Sequence, residues 1–306
     1  MDLFLAIFTG TVIAATPLIF AALGELIVEK SGVLNLGIEG MMLVGAAFAF
    51  WAVFSGLPMP VAIAVGALAG AASSLIFGVL ALTFLTNQYA AGLALAIFGS
   101  GVSAFLGRSF GSAPIDALDR IQIPFLSDIP VIGPMFFRFD PLVYLAIAAF
   151  FAISFFLYRT KGGLILRTIG ESPETSHAIG YPVIRIRYLA VLFGGLMAGL
   201  GGAYLSIAYT PLWVENMTAG KGWISLALVV FATWRPLRVL LGAWLFGGMT
   251  ILQLQGQALG VAVPSELLSA LPYLATIVVL VIISRHRQTL ALHFPASLAR
   301  PFRPPV

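Results

Sequence analysis

Long apolar runs, separated by short breaks rich in glycine, proline and charge, dominate the chain. They cover approximately residues 4–23, 36–54, 61–84, 90–107, 141–158, 188–208, 222–233, 237–254 and 270–284. Several reach the roughly 20 apolar residues with which a helix rising 1.5 Å per residue crosses the hydrocarbon layer. The pattern predicts an all-α, polytopic transmembrane protein of about 8–10 spans, nine on this count, with re-entrant or broken helices among them. Three runs are ambiguous. The run 36–54 follows Asn35 and carries Glu39, and 90–107 follows Asn87-Gln88 and is short enough to be partly re-entrant. The run 222–233 is too short to cross straight unless its helix begins before Lys221 or is broken.

Composition agrees. The chain is 60% hydrophobic and 9% charged, whereas soluble domains carry roughly 25% charged residues. The N-terminal stretch "MDLFLAIFTGTVIAATPLIFAAL" has no basic region before its apolar part, so it reads as a first membrane helix rather than a cleaved targeting peptide. The formal charge of +4 comes from basic residues scattered at the ends of apolar runs, not clustered in a stripe, and no nucleic-acid partner is expected.

Lys and Arg concentrate on the cytoplasmic side of membrane proteins. The segments 24–35, 159–187, 234–238 and the tail from Arg285 hold twelve of them, against four (Arg108, Arg120, Arg138 and Lys221) in the alternate loops. The split places the N-terminus outside and the C-terminus inside. On this reading residues 1–288 are one transmembrane domain and 289–306 a cytoplasmic tail.

The interval from Tyr158 to Tyr188 is the longest inner loop. Within it "ESPETSHAIG" (171–180) predicts a short helix: Ser172 as N-cap, Pro173 in the first turn, Glu174 near the positive helix end and Gly180 as the stop. Such a helix offers a surface on which another protein can push. A basic loop held by lipid headgroups is the plainer alternative.

Chemistry-bearing motifs are few. With no cysteine, disulfides and thiolate chemistry are excluded. His177, His286 and His293 lack neighbours at ligand spacing, so no metal site is expected. Neither H-E-x-x-H, G-x-S-x-G nor the phosphate-cradling G-x-x-x-x-G-K-[ST] occurs, and no catalytic residue or cofactor is expected. Glu39 stands out, because a carboxylate in an apolar helix faces a partner or a wet cavity. Asn35, Asn87 and Gln88 join it as candidates for a translocation path or gate, since paired amides can orient a polar solute as well as cap or bridge helices. Small-residue pairs such as Gly66/Gly70 and Gly195/Gly199 predict close helix crossings. Pro17 is a candidate kink in the first span. "TWRPLR" (233–238) reads as a tight inner turn with Trp234 at headgroup level, and Trp213, Glu215 and Lys221 are candidates for an outer receiving surface.

Four blocks carry a family resemblance: "GELIVEKSGVLNLGIEGMMLVGAAFAF" (24–50), "TNQYAAGLALAIFGSGVSAFLG" (86–107), "GESPETSHAIGY" (170–181) and "GKGWISLALVVFATWRPLRVLLGAWLFGG" (220–248). Together they resemble permease subunits of bacterial ABC importers for nucleosides and simple sugars, and more distantly branched-chain amino acid and ribose permeases. The resemblance implies a multi-pass protein of the bacterial plasma membrane. It also implies a second homologous permease, ATP-binding subunits inside, and an extracellular or periplasmic substrate-binding protein. It identifies 170–181 as the coupling helix that docks on the ATPase, with Gly170, Glu171, Pro173, Ala178 and Gly180 matching its motif. The family more often has a basic residue and alanines where Glu174, Thr175 and Ser176 stand. The residues alone leave two rivals open, a self-sufficient secondary carrier or channel and a non-transporting scaffold.

Overall fold

In the computed structural model the described residues are 2–111, 113–122, 124–130, 132–258 and 294–304, with the isolated positions 267, 270, 274, 277, 278 and 281. The expected span 270–284 lies largely outside them, as do His286 and His293.

Among the described residues regular structure is entirely helical. Helix α1 (Asp2–Lys30) continues through Pro17, and α2 spans Ile38–Phe54. Helix α3 (Met59–Gly78) ends in a π turn, Val79–Thr83, and α4 covers Gln88–Gly107. After a short α5 (Ile132–Phe136) comes α6 (Pro141–Arg159), then α7 (Lys161–Glu171) and α8 (Pro173–Ala178). Helix α9 (Val183–Tyr204) runs into a second π turn, Leu205–Tyr209, and α10 (Lys221–Phe231) and α11 (Pro236–Ala258) follow. Among the described residues six helices are long and apolar enough to cross a membrane: α1, α3 with its π turn, α4, α6, α9 with its π turn, and α11. Helices α2 and α10, at 17 and 11 residues, are the shorter apolar ones.

Three boundaries differ from the sequence reading. Helix α1 runs past residue 23 to Lys30, so 24–30 is helix, not loop; its carboxylates Glu25 and Glu29 are tolerated because distant groups bond them. The run 90–107 lies within a continuous helix of 20 residues, Gln88–Gly107, long enough to cross. The interval 159–187 is mostly helical, and Arg185 and Arg187 lie on the first turns of α9.

Helices α1, α2 and α9 form the centre. Helices α3 and α4 pack on the α2 side, and α6, α10 and α11 on the α1 side. The central crossings are made by glycine. A Cβ on Gly45 would stand 2.5 Å from the Cα of Gly199, and one on Gly66 would stand 2.8 Å from the carbonyl oxygen of Gly45. At this separation backbone meets backbone, the dispersion-driven packing open to helices in lipid. The outer faces are apolar: Ile97, Phe105 and Phe155 are 75%, 72% and 63% exposed. In water such faces would drive association; in a bilayer they meet hydrocarbon.

Candidate functional site

Helices α2 and α10 meet N-terminus to N-terminus at Glu39. Its Oε1 accepts from Thr218 Oγ1 at 2.5 Å and from the Gly220 N–H at 2.9 Å, and its Oε2 accepts from the Gly222 N–H at 2.6 Å. Helix N-termini leave N–H groups unsatisfied and carry partial positive charge. Glu39 lies in the first turn of α2 and faces the start of α10, so two positive helix ends converge on one carboxylate. That convergence offsets its burial. Gly222 permits the approach, since a Cβ there would come within 2.6 Å of Glu39 Cα.

The segment 31–37 leading into α2 is held by side chains. Glu25 Oε1 accepts from the Asn35 N–H at 3.2 Å, and Gln88 Oε1 from the Leu34 N–H at 2.9 Å. Asn35 folds its Oδ1 back onto the Gly37 N–H at 2.9 Å and donates from Nδ2 to Met41 Sδ at 3.4 Å. Asn87 caps α4, its Oδ1 accepting from the N–H groups of Tyr89 and Ala90. Each of the four candidate path residues therefore makes hydrogen bonds within the chain. Glu39, Asn35 and Gln88 converge on the 31–39 segment, and Asn87 stands beside them as a cap. Among the described residues Gln88 Nε2, Glu25 Oε2 and Glu29 Oε1 are buried without a partner.

At the basic end of the bundle, α8 forms as its caps dictate. Ser172 Oγ accepts from the Thr175 N–H at 3.3 Å, Pro173 occupies the first turn, and Gly180 ends the segment at φ +94°, a conformation that L side chains rarely adopt. Pro173 and Ser176 are buried, whereas Glu171, Glu174, Thr175, Ala178 and Ile179 are exposed. Gly170 allows α7 to end directly on α1, because a Cβ there would overlap the carbonyl oxygen of Lys30. A groove of about 460 Å³ beside α8 is lined by Lys30, Arg167, Glu171, Thr175 and Ile179, among others.

At the opposite end, Trp213 is half-buried on α4, its Nε1–H donating to Ser103 Oγ at 3.4 Å, while Glu215 is exposed and Lys221 opens α10. Asp140 caps α6 by accepting from the N–H groups of Leu142 and Val143 at 3.0 and 3.2 Å. Burial raises its carboxyl above the ordinary range, and the two backbone donors oppose that rise.

Trp234, in the turn between α10 and α11, faces the interior of the protein. It is buried and donates its indole N–H to Glu29, because a buried tryptophan N–H must find an acceptor. Glu25, Glu29 and Arg187 escaped the sequence reading as site residues. Two carboxylates one helical turn apart, just beyond an apolar run, were the available signal for the first two.

A family profile described as "branched-chain amino acid transport system / permease component" matches residues 7–283. The chain belongs to this family of permeases. A putative glucose ABC transporter permease of Haloferax volcanii is 39% identical over 96% of each chain. A guanosine ABC transporter permease of Bacillus subtilis is 33% identical over 89% of each, and a nucleoside ABC transporter permease of Lactococcus lactis is 33% identical over 90% of each. No solved structure matches the chain. It is a multi-pass membrane permease subunit of an ABC importer.

Proposed function

We propose that this permease forms, with a second homologous permease subunit, the translocation path of an importer for nucleosides. Separate ATP-binding subunits hydrolyse ATP on the cytoplasmic side, and an extracellular or periplasmic substrate-binding protein delivers the solute. The basic end that carries Lys30, Arg167 and α8 faces the cytoplasm, as the charge split expects. Lipid covers the outer apolar faces, including a groove of about 450 Å³ between α6, α7 and α9.

The observation that carries this reading is α8. It is a short helix fixed at both ends, by the Ser172 cap and by Gly180, with Glu171, Ala178 and Ile179 exposed. Pro173 and Ser176 bury its underside, and α7 just before it is anchored where Gly170 touches α1. A push on such an element moves the helices behind it. The guanosine and nucleoside permeases among its relatives support the solute class. A second reading, a simple sugar, is favoured by the relative named as a putative glucose permease.

Radiolabelled nucleosides and sugars, offered to proteoliposomes holding the complete complex, test both. ATP-dependent uptake of nucleoside, competed by nucleosides and not by sugars, is the expected result, and the reverse competition selects the second reading. Transport by this chain alone, without ATP or companion subunits, would overturn both.

A further inference from the structure

Arg187 contributes to the basic end by sequence, yet it is only 1% exposed. From the first turns of α9 its Nε donates to the carbonyl of Ser31 at 3.0 Å, its Nη2 to Ser297 Oγ at 3.1 Å and its Nη1 to the carbonyl of Arg300 at 3.4 Å. The segment 294–304 therefore packs into the bundle. Ser297 donates both its N–H and its hydroxyl to the carbonyl of Gly170, at 2.9 and 2.8 Å. The Ala299 N–H donates to the carbonyl of Gly32 at 3.2 Å. Phe302 is buried with Ile169 of α7 and Val183 of α9, and the ring of His177 on α8 meets it edge-on at 5.8 Å. Gly32 leaves the space for this, since at φ +88° a Cβ would overlap Ser297 Oγ and stand 2.7 Å from Arg187 Nη2.

The end of α7, the side of α8, the start of α9 and the turn after α1 thus all bond or pack onto one short segment. At its centre the guanidinium makes three donations, all to neutral oxygens. Burying a charge is costly unless it is hydrogen-bonded and balanced, and here the three donations are joined by the attraction of the Glu174 carboxylate on α8. The planar fork is the side chain that reaches oxygens of separate segments at once, which a lysine ammonium on its flexible stem does not. The turn at Ser31–Gly32 continues into the 31–37 segment held by Glu25 and Gln88, and from there into Glu39.

We propose that Arg187 is a positioning residue for energy coupling. Through segment 294–304 it fastens α7 and α8 to the turn after α1, so that displacement of α8 is delivered to the 31–39 segment. This rests on the proposed docking of α8 on an ATP-binding subunit. Without the tie, displacement of α8 reaches the turn after α1 only through the close approach of Gly170 on α7 to Lys30.

The test uses the complete complex in proteoliposomes, with Ile179→Cys as a cross-linking probe for the ATP-binding subunit. Three variants are compared with it: Arg187→Lys, Ser297→Ala, and a chain stopped after residue 293. Cross-linking and ATP hydrolysis are expected to persist in each, while solute moved per ATP falls by roughly 2- to 30-fold, the range seen when one element of a coupling network is altered. Ser297→Thr, which keeps the hydroxyl, restores the ratio relative to Ser297→Ala. Ser297→Ala removes one oxygen atom and keeps the test open should the larger changes fail to fold. An unchanged ratio, or transport and hydrolysis falling equally, would overturn the proposal and leave Arg187 a structural tie. Absence of cross-linking in the otherwise unaltered complex would instead defeat the docking on which it rests.

Discussion

Trp234 donates its indole N–H to Oε2 of Glu29 at 2.5 Å, across 205 residues of sequence. Both side chains are buried, and Glu29 Oε1 has no partner among the described residues. Trp234→Phe strands the carboxyl and should destabilise the fold by about 1–3 kcal/mol, the usual penalty for an abandoned buried polar group. Adding Glu29→Met should recover most of the loss, because no group is then left to satisfy. Thermal midpoints in detergent measure both; a double variant no better than the single would show that the bond is not the source.

Glu39→Gln tests the junction of α2 and α10. The carboxylate accepts three hydrogen bonds, whereas an amide offers one oxygen and turns its NH₂ toward groups that also donate. The expected loss is about 1–3 kcal/mol, seen as a lower thermal midpoint with solute preference unchanged per folded molecule. A changed preference at full folded yield would instead place Glu39 on the solute route.

Gly199 and Gly101 make a matched pair. A Cβ on Gly199 would lie 2.5 Å from the carbonyl oxygen of Gly66 and 3.0 Å from Ala67 Cα, whereas one on Gly101 meets nothing within 4 Å. Gly199→Ala should cost about 1–3 kcal/mol by overpacking. Gly101→Ala should be neutral or stabilise by about 0.4–1 kcal/mol. Folded yield by size-exclusion chromatography distinguishes them.

Asp140 gives a pH-dependent signature. Its native carboxyl is held above its ordinary range by burial, so the native state takes up the proton more readily than the unfolded chain. The associated stability is present at acid pH and lost as pH rises through the native value. Asp140→Asn, which keeps a capping oxygen, should therefore gain on the parent protein between acid and neutral pH. Asp140→Ala loses the cap and should be weaker by about 1 kcal/mol. Melting curves taken across that interval check both signs.

Sidedness is tested by Ile179→Cys, since Ile179 is 66% exposed. A membrane-impermeant maleimide should reach it from the cytoplasmic face alone. Modification from outside would invert the topology.

Local chemistry was legible in the sequence. The short helix at 173–178 follows from Ser172, Pro173 and Gly180 because caps act on their immediate neighbours, and the glycine pairs marked faces fit for close crossing, but which helices cross there, α3 with α9, belongs to the fold. The end of α1 was misread because the partners that make Glu25 and Glu29 tolerable, the Asn35 N–H and Trp234, belong to the fold and not to any local pattern. Arg187 looked like a topological charge for the same reason; Ser31 and Ser297 lie 156 and 110 residues away from it. The Glu39 junction needed a donor set 179 to 183 residues downstream.

Helix α2 is enclosed: apart from Phe48, Trp51, Val53 and Phe54, all its residues are buried. Glycine crossings press α3 and α9 against it backbone to backbone. Among the described residues a core so filled leaves no bore along α2 for a molecule the size of a nucleoside. On the proposed reading each subunit is then one wall of a conduit, and the lumen opens only where two walls face one another.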